Sequence, residues 1–380
     1  MGKCFSDAVE EALRYIYYDE RAGKGQEGLR LLQEASDAGD GDASCILARC
    51  LSGPQYIWSG HHFPEDDRKA TRLYHKSVEQ GSAVGVLVCI RCGELLPELE
   101  RKMPFANLQE AFDVVLEKAE AGDAFCQYVI GNTYFWWDFV RIQDKRKEDF
   151  ANQAEFNAYM AENIAKCEDW FMKALKGGIY QAANNLEKFY LEGDEGFIAP
   201  QPEKAKGLSK LGAELGYPYL QYFYADSLED EGKNEEAFVW YKKALEGGEP
   251  LAWYEVGHAY EEGKLVAQDY EYAFHCFESG YAEPHKTGTT DNCANGLGRC
   301  YFYGRGVAQD YGKAREILER ADWLGWEAYY ILGCIYGQGL GVQEDIPKAV
   351  EYLKKASKHD EAKEELSHYK RSLFGKWKRR

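Results

Sequence analysis

Residues 297–314 read LGRCYFYGRGVAQDYGKA, and the same pattern returns thirty-five residues later, where residues 332–349 read LGCIYGQGLGVQEDIPKA. An earlier copy at 256–269 reads VGHAYEEGKLVAQD. Self-similarity at such a spacing is typical of stacked repeat proteins, in which each unit buries its apolar face only against its neighbours. The repeat therefore predicts a fold of similar units in series.

Weaker copies of the pattern extend over most of the chain. A helical segment that closes with a small-residue motif and a glycine recurs at intervals of 31 to 55 residues. The closing glycines are Gly39, Gly81, Gly122, Gly177, Gly216, Gly247, Gly280 and Gly325. A pair of helices of variable length, repeated about nine times, explains this spacing.

The positions within the pattern have distinct physical roles. Gly298 and Gly333 allow a partner helix to approach closely, and the Gly-x-Gly stretch that follows supplies positive φ at a turn. The glycine that closes each pair is predicted to be a C-cap. An Asp or Asn four residues before the motif alanine is predicted to be the N-cap of the second helix. These N-cap candidates are Asp66, Asn107, Asp269, Asp310 and Asp345.

The pattern A-x-x-x-L-G-x-x-Y, followed by G-x-G-V, D-x-x-K-A and A-x-x-G, resembles that of the Sel-one-like repeat family, a relative of the tetratricopeptide repeat. The resemblance implies an all-α fold, a right-handed α-solenoid of about nine antiparallel helix pairs. It covers nearly the whole chain, so we predict a single domain over 1–380. An insertion is predicted at about 134–165, and a C-terminal capping helix at about 361–373.

Charge and cysteine content bear on partners and compartment. The net charge of −18 is expected to repel nucleic acid and anionic membranes, and the basic stretch 370–380 is interpreted as a solvated tail. Apolar runs stay well short of the roughly 20 residues of a membrane span, and the start of the chain lacks the apolar stretch of a secretory signal. The eleven cysteines do not follow the pairing of secreted relatives. A cytoplasmic protein with free cysteines is therefore predicted.

Several groups of side chains could be functional sites, but a structural interpretation accounts better for each. Cys89 and Cys92 form a lone C-x-x-C without the second pair of a zinc site. Residues 1–6 fit only the loose myristoylation pattern. Two loop clusters, read as possible metal ligands, are His61, His62, Glu65, Asp66 and Asp67, and His275, Cys276, His285 and Cys293. The sequence contains no phosphate-binding or nucleophile-elbow motif, and we predict no catalytic residue, metal or cofactor.

Side chains that flank the Leu-Gly-Tyr core of each first helix are the candidates for binding. By analogy with tetratricopeptide repeats, positions three before, one after and four after the motif glycine face a concave wall. The predicted wall residues are Tyr128, Asn132, Asn184, Lys188, Tyr222, Asp226, Tyr254, His258, Asn295, Arg299 and Tyr330. We interpret Asn295 and Arg299 as non-core residues, with Arg299 and Lys188 meeting acidic groups of a ligand. Packing between neighbouring repeats is the alternative role for the tyrosines.

The resemblance implies interaction and not catalysis. We expect a monomeric cytoplasmic adaptor or scaffold that holds a protein or peptide partner in the groove, without a nucleic-acid or membrane role. One alternative is a regulatory or inhibitory subunit whose insertion at 134–165 blocks a partner enzyme. Another is a hydrolase of the kind found among secreted relatives, against which the unpaired cysteines argue.

Overall fold

The computed structural model describes residues 4–18, 23–53, 57, 61–194, 196–283, 288–371 and 377–379. Within these residues the chain is helical apart from turns and loops, one two-stranded hairpin and an isolated bridge between Asp194 and Ile198. The helices are gathered into two compact units, Met1–Leu215 and Gly216–Arg380, and each is described by itself.

The first unit consists of twelve α-helices within the described residues. They are α1 Asp7–Leu13, α2 Gly25–Asp37, α3 Gly41–Leu51, α4 Asp67–Glu79, α5 Ala83–Arg91, α6 Pro97–Glu100, α7 Leu108–Glu120, α8 Ala124–Phe135, α9 Asp138–Ile142, α10 Gln153–Lys176, α11 Gln181–Glu192 and α12 Pro202–Glu214. A π-helical turn, Arg14–Tyr18, extends α1. The packed pairs are α1 with α2, α3 with α4, α5 with α7, α8 with α10, and α11 with α12.

The second unit contains α13 Pro218–Asp230, α14 Asn234–Glu246, α15 Ala252–Glu262, α16 Tyr270–Tyr281, α17 Gly288–Tyr303, α18 Tyr311–Arg320, α19 Trp326–Gln338, α20 Ile346–Lys355 and α21 Asp360–Ser367. Its packed pairs are α13 with α14, α15 with α16, α17 with α18, and α19 with α20. Over the described residues the two units together hold nine pairs. The prediction of an all-α fold built from helix pairs is confirmed.

Local hydrogen bonds explain where the second helices begin. Each of the five predicted N-cap side chains accepts a hydrogen bond from the backbone N–H three residues later, at 2.9 to 3.0 Å. This bond satisfies one of the amides that the first turn of a helix leaves free. The caps at Asp66, Asn107, Asp269, Asp310 and Asp345 are therefore confirmed.

The motif glycines allow the helices of a pair to touch. A Cβ added to Gly298 would lie 2.5 Å from Leu318 of the partner helix, and one on Gly333 would lie 2.6 Å from Leu353. No side chain fits at those distances, so the leucines pack directly on the glycine backbone. In the turn that follows, Gly304 has a φ of 72°, which confirms the predicted need for positive φ.

The closing glycines are only partly as predicted. Where two glycines are adjacent, the first stays helical and the second takes positive φ, as at Gly178 (106°) and Gly248 (83°). Gly325 does not close a helix but is the N-cap residue of α19. Gly280 lies within α16, where its missing Cβ makes room for Trp253, 2.8 Å away. At Gly280 and Gly325 the C-cap prediction is wrong.

The carboxyl terminus differs from the predicted capping helix at 361–373. Helix α21 ends at Ser367, and the chain then forms β1 Tyr369–Arg371, which pairs antiparallel with β2 Trp377–Arg379. The Tyr369 side chain is buried, and its ring enters the space beside Gly337 on α19. Tyr369 therefore packs on α19 from the first position of β1 and not from a continuation of α21.

The predicted insertion at 134–165 has narrower limits. Helix α8 continues to Phe135, and the extra segment holds α9 and a short 3-10 turn at Lys147–Asp149. Residues 153–165 belong to α10, a helix of 24 residues that begins at the N-cap Asn152. Much of the predicted insertion is therefore an elongated second helix.

The side chains considered as possible chemical sites have structural roles. All eleven cysteines are free, and Cys50, Cys89, Cys300 and Cys334 are buried as predicted. His61 is buried, with its Nε2 3.0 Å from the carbonyl oxygen of Ile16. Residues 1–3 and His285 lie outside the described part of the chain.

Two kinds of feature are absent from the part of the chain that the structure describes. No three His, Cys, Asp or Glu side chains there converge as metal ligands would. Among the helices of the same ranges, none has both the length and the apolar character that crossing a membrane requires.

Candidate partner-binding surfaces

Successive first helices of the first unit form a continuous surface, which we call the first-helix wall. It consists of α3, α5, α8 and α11, each of which contacts the next. A cavity of about 490 Å³ opens on this wall and receives side chains from all four helices. Its lining residues are Arg49, Leu87, Val88, Arg91, Cys92, Tyr128, Val129, Asn132, Thr133, Trp136, Asp138 and Asn185.

Two asparagine side chains from neighbouring repeats are bonded to each other in this cavity. Asn132 donates its Nδ2 hydrogen to the carbonyl oxygen of Tyr128, at 2.9 Å. Asn185 in turn donates to Oδ1 of Asn132, at 2.8 Å. Within the described residues the Oδ1 of Asn185 accepts no hydrogen bond, so this acceptor is available to a ligand. The pair is held in place by the protein and keeps hydrogen-bonding capacity toward the cavity.

An exposed indole with a cation on either side forms the rim. Trp136 is 40% exposed, and its ring lies 4.7 Å from the Arg91 guanidinium and 5.0 Å from the Lys188 ammonium. Arg91 also donates to the carbonyl oxygen of Trp136 and to Asp138, both at 3.3 Å. Aromatic and arginine side chains in such positions are the types that dominate binding at protein interfaces.

Two charged groups form the deeper part of the cavity. Burial raises the pKa of the Asp138 carboxyl to about 7, although Arg91 and Arg141 oppose the shift. Arg49 is buried and donates from Nε to the Tyr17 hydroxyl, at 3.0 Å. Asp138 therefore offsets the cationic rim only in part near neutral pH.

The structure brings some of the predicted residues of this unit together and not others. Tyr128 and Asn132 line the cavity. Asn184 is exposed outside it, and its neighbour Asn185 occupies the position that we had expected for Asn184. Lys188 reaches only the rim, over Trp136. On α11 the residue that enters the cavity is therefore one position later than the motif count predicts.

Arg49 and Arg91 were not predicted as wall residues. Both occur near the ends of first helices, after the motif positions on which the prediction relied. A signal was nevertheless present, because each is an arginine among otherwise apolar residues of a buried helix.

The second unit has its own cavity, of about 480 Å³, between side chains of α15, α17 and α19 and the loop before α19. Four of the predicted wall residues, Tyr254, His258, Asn295 and Arg299, line it. The further lining residues are Glu261, Glu262, Gln268, Tyr270, Asn292, Arg305, Trp323, Gly325, Trp326, Glu327 and Ala328.

The other three predicted residues of this unit lie away from that cavity. Tyr222 packs against Tyr241, with ring centroids 5.4 Å apart. Asp226 is near Glu255, and burial followed by the neighbouring carboxylates raises the pKa of Glu255 to about 7. Tyr330 is half-buried and packs on the apolar cluster that includes Leu353. Packing accounts for both tyrosines, for Tyr222 within its own helix pair and for Tyr330 on the apolar cluster around Leu353.

The interpretation of Asn295 and Arg299 as non-core residues is wrong. Asn295 is 6% exposed and Arg299 is 9% exposed. Asn295 donates to the carbonyl oxygen of Asp291 at 2.7 Å, and its Oδ1 accepts from the backbone N–H of Gly325 at 3.1 Å. Its amide therefore fastens α17 to the start of α19, and burial is tolerated because the amide is hydrogen-bonded.

Arg299 is committed to carboxylates of its own chain. Its Nη2 donates to Oε2 of Glu261 at 2.6 Å, and its Nε donates to Oε1 of the same side chain at 3.1 Å. Arg305 approaches Glu261 from the other side, at 3.4 Å. The expectation that Arg299 meets an acidic ligand loses its basis, since Glu261 already binds the Nε–Nη2 edge of the guanidinium.

Comparison with known families identifies the repeat. The Sel1 repeat family model matches residues 47–82, 177–217, 221–249, 250–285, 292–321 and 326–361, which together are more than half of the chain. The unmatched stretch 83–176 contains α5 to α10, so two of the four helices of the first-helix wall lie in the most divergent part of the repeat array.

Solved structures with similar folds include other repeat proteins. A Sel1 repeat protein from Oxalobacter formigenes is 22% identical, with 97% of this chain and 96% of that chain covered and a TM-score of 0.44. The protective antigen c5321 of uropathogenic Escherichia coli, which displays an SLR fold, is 19% identical, with coverages of 95% and 78% and a TM-score of 0.41. Yeast Tom70 is 13% identical, with coverages of 96% and 65% and a TM-score of 0.39.

Proposed function

Because this chain belongs to the Sel1 repeat family, whose helical repeats generally serve protein–protein interaction, we propose that it is a non-catalytic scaffold that holds a segment of a partner protein on the first-helix wall. We further propose that it acts as a monomeric adaptor in the cytoplasm, where its eleven free cysteines would stay reduced.

The observation that carries this proposal is the cavity on the wall. Four helices from successive repeats contribute to it, so its shape depends on the stacking of the repeats and not on any single one. Its contents suit a peptide, because Asn132 and Asn185 offer amide groups to a backbone and Trp136 offers apolar contact area. A volume of about 490 Å³ accommodates a few side chains of an extended segment.

The state of the cysteines supports a role without catalysis. Burial raises the pKa of Cys167, Cys276 and Cys300 to about 12, so each is a neutral thiol near neutral pH. A cysteine nucleophile needs the thiolate, which a lowered pKa would provide. These three thiols are buried and behave as small apolar side chains that fill the core.

A regulatory or inhibitory role remains a second candidate because of one further observation. Trp137 follows Trp136 directly, is 41% exposed, and has the left-handed φ of 66° that is uncommon for a bulky residue. A hydrogen bond from its Nε1 to Asp194, at 2.8 Å, holds it there. An exposed indole fixed in a strained backbone could enter the site of a partner enzyme.

One set of variants tests the scaffold proposal. Replacing Asn132 and Asn185 together by Ala removes both partners of their mutual hydrogen bond, so neither is left buried with its partner missing. The matched control is Asn184→Ala, on the same helix as Asn185 but exposed outside the cavity. Each variant is used as bait in a lysate of the native host, and the captured proteins are compared by quantitative mass spectrometry.

We expect a partner that Asn184→Ala retains and that the double variant loses by about tenfold or more, which corresponds to at least ~1.4 kcal/mol. Both variants should melt within a few degrees of the wild type. Equal capture by the double variant and the control would refute binding on the wall. Loss of capture through Trp137→Ala alone would instead favour the regulatory role.

A further inference from the structure

We propose that the cavity of the second unit binds a basic side chain, arginine or lysine, from a partner peptide. This proposal rests on the proposed scaffold function and adds a second, chemically distinct contact to it. Three features of the cavity favour such a ligand. They are its aromatic rim, the pairing of its arginines with Glu261, and the carboxylate of Glu327, which accepts no hydrogen bond among the described residues.

Two exposed indoles stand at the entrance of this cavity. Trp323 is 57% exposed and Trp326 is 38% exposed. Trp326 stacks on His359, with ring centroids 4.1 Å apart. Indole faces attract cations, and arginine most often. Both indoles line the same cavity, so their exposed faces are available to one ligand.

The loop that carries the indoles is fixed by the buried amide of Asn295. Its Nδ2 lies 3.4 Å from the carbonyl oxygen of Trp323, and its Oδ1 accepts the N–H of Gly325. Both indoles are therefore held at the cavity before any ligand arrives, which lowers the entropy lost on binding. Asn295 is therefore a positioning residue, because its buried amide holds the backbone at Trp323 and Gly325.

Most charges in the cavity are already neutralised. Arg299 and Arg305 share the carboxylate of Glu261, which is 6% exposed. Glu262 lies 2.9 Å from the ammonium of Lys264. A ligand that carried a carboxylate would have to compete with Glu261 for guanidinium groups that are already bonded.

Glu327 is the carboxylate that is left. Its Oε2 lies 3.7 Å from Nε of Arg299, beyond hydrogen-bond distance, and within the described residues no donor is bonded to it. Burial raises its pKa, Arg299 and Arg305 oppose this, and Glu261 and Glu361 add to it. Glu327 is thus near a cation but accepts no hydrogen bond among the described residues, and a guanidinium or ammonium group placed between it and the indoles would supply the donors it lacks.

The charge expected of the ligand is therefore the reverse of the one predicted from the sequence. Arg299 suggested an acidic partner, but its pairing with Glu261 leaves Glu327 as the group that faces the cavity. The net charge of −18 on the whole chain adds a general attraction for basic peptides. Any test must separate that attraction from recognition at this cavity.

The test uses the full chain and defined peptides. A fluorescein-labelled peptide of four Gly-Arg repeats is titrated with the protein, and its fluorescence anisotropy is compared with that of a peptide in which citrulline replaces each arginine. Citrulline keeps the shape of arginine and loses the charge. Glu327→Gln and Trp323→Ala probe the cavity, and Glu351→Gln is the matched control, because it removes the same charge from an exposed position of α20 outside the cavity.

We expect the arginine peptide to bind at least tenfold more tightly than the citrulline peptide. Glu327→Gln and Trp323→Ala should each weaken its binding at least fivefold, while Glu351→Gln changes it less than twofold. Circular dichroism melting of each variant should stay near that of the wild type, since both altered side chains are partly exposed.

Three results would overturn the inference. They are equal binding of the two peptides, equal weakening by Glu327→Gln and Glu351→Gln, and an arginine peptide that does not bind at all. The double variant of Asn132 and Asn185, in the first unit, should bind the peptide normally. Failure of the peptide to bind while that variant still loses a captured partner would refute the basic-ligand inference and leave the scaffold proposal standing.

Discussion

Replacement of Arg299 by Met should destabilise the second unit strongly. The side chains of Arg299 and Glu261 are 10% and 6% exposed, and they share bonds of 2.6 and 3.1 Å. Methionine fills a similar volume but offers no donor. Glu261 would keep only Arg305, at 3.4 Å, whose side chain is 38% exposed. A buried carboxylate would thus lose its principal partner, which is the costly way to break such a pair.

The size of the effect follows from the burial. Removing one member of a buried ion pair costs about 3–5 kcal/mol, and the remaining contact with Arg305 places the expected loss near the lower value. For a unit the size of Gly216–Arg380, each kcal/mol lowers the melting temperature by about 2–4 °C. The variant should therefore melt roughly 6–12 °C below the wild type.

Thermal and urea unfolding, followed by circular dichroism, measure this loss. Arg320→Met is the control, because the Arg320–Glu316 pair has a similar distance of 2.8 Å but side chains that are 68% and 55% exposed. Such an exposed pair is worth about 0–1 kcal/mol. The double variant Arg299→Met with Glu261→Met should recover most of the loss, since no buried charge is then left unpaired. Equal stability of the Arg299 and Arg320 variants would refute the reasoning.

Three further predictions concern stability. Asn295→Ala should lower the free energy of unfolding by about 1–3 kcal/mol, because the backbone N–H of Gly325 loses a buried acceptor. Urea titration measures this loss, and an unchanged free energy of unfolding would contradict the role of Asn295 in joining α17 to α19. Gly298→Ala should destabilise the fold by about 1–3 kcal/mol, because the added methyl group overpacks against Leu318. Gly207→Ala should stabilise it by up to ~1 kcal/mol, since nothing lies within 4 Å of its added Cβ. A lower melting temperature for Gly207→Ala than for Gly298→Ala would contradict this prediction. Burial raises the pKa of Glu255 from 4.5 to about 7, so the folded state holds this proton more tightly than the unfolded chain, and stability should decrease as pH rises from about 5 to about 8. Glu255→Gln should reduce that dependence in urea titrations across this range, and an unchanged slope would refute it.

The features predicted correctly are those that depend on neighbours a few residues away. A side chain such as Asp310 caps a helix through the backbone N–H three residues later, so its role is decided within one turn. A Gly-x-Gly turn needs positive φ wherever it occurs. The repeat also indicates which helices pair, since an apolar face with a glycine notch can be buried only against the next helix.

The candidate sites depended on contacts that are distant in the sequence. Asn184 and Asn185 are adjacent, and only the packing of α11 against the neighbouring helices decides which of them enters the cavity. The carboxyl terminus shows the same dependence, because Tyr369 leaves the helix to pack beside Gly337. Neither the side chain that enters the cavity nor the end of α21 can be read from the residues nearby in the sequence.

The repeat pattern was enough to establish an all-α array of about nine helix pairs and the starts of the five second helices with a predicted N-cap. It was also enough to establish the burial of Cys50, Cys89, Cys300 and Cys334. What the polar side chains around the cavities do depended on contacts between helices that are distant in the sequence. Arg299 resembles a free cation until Glu261, on a different helix, is found at 2.6 Å. The reason is physical: helix formation is governed by short-range sterics and hydrogen bonds, whereas the charge that a cavity presents depends on which groups are paired across it.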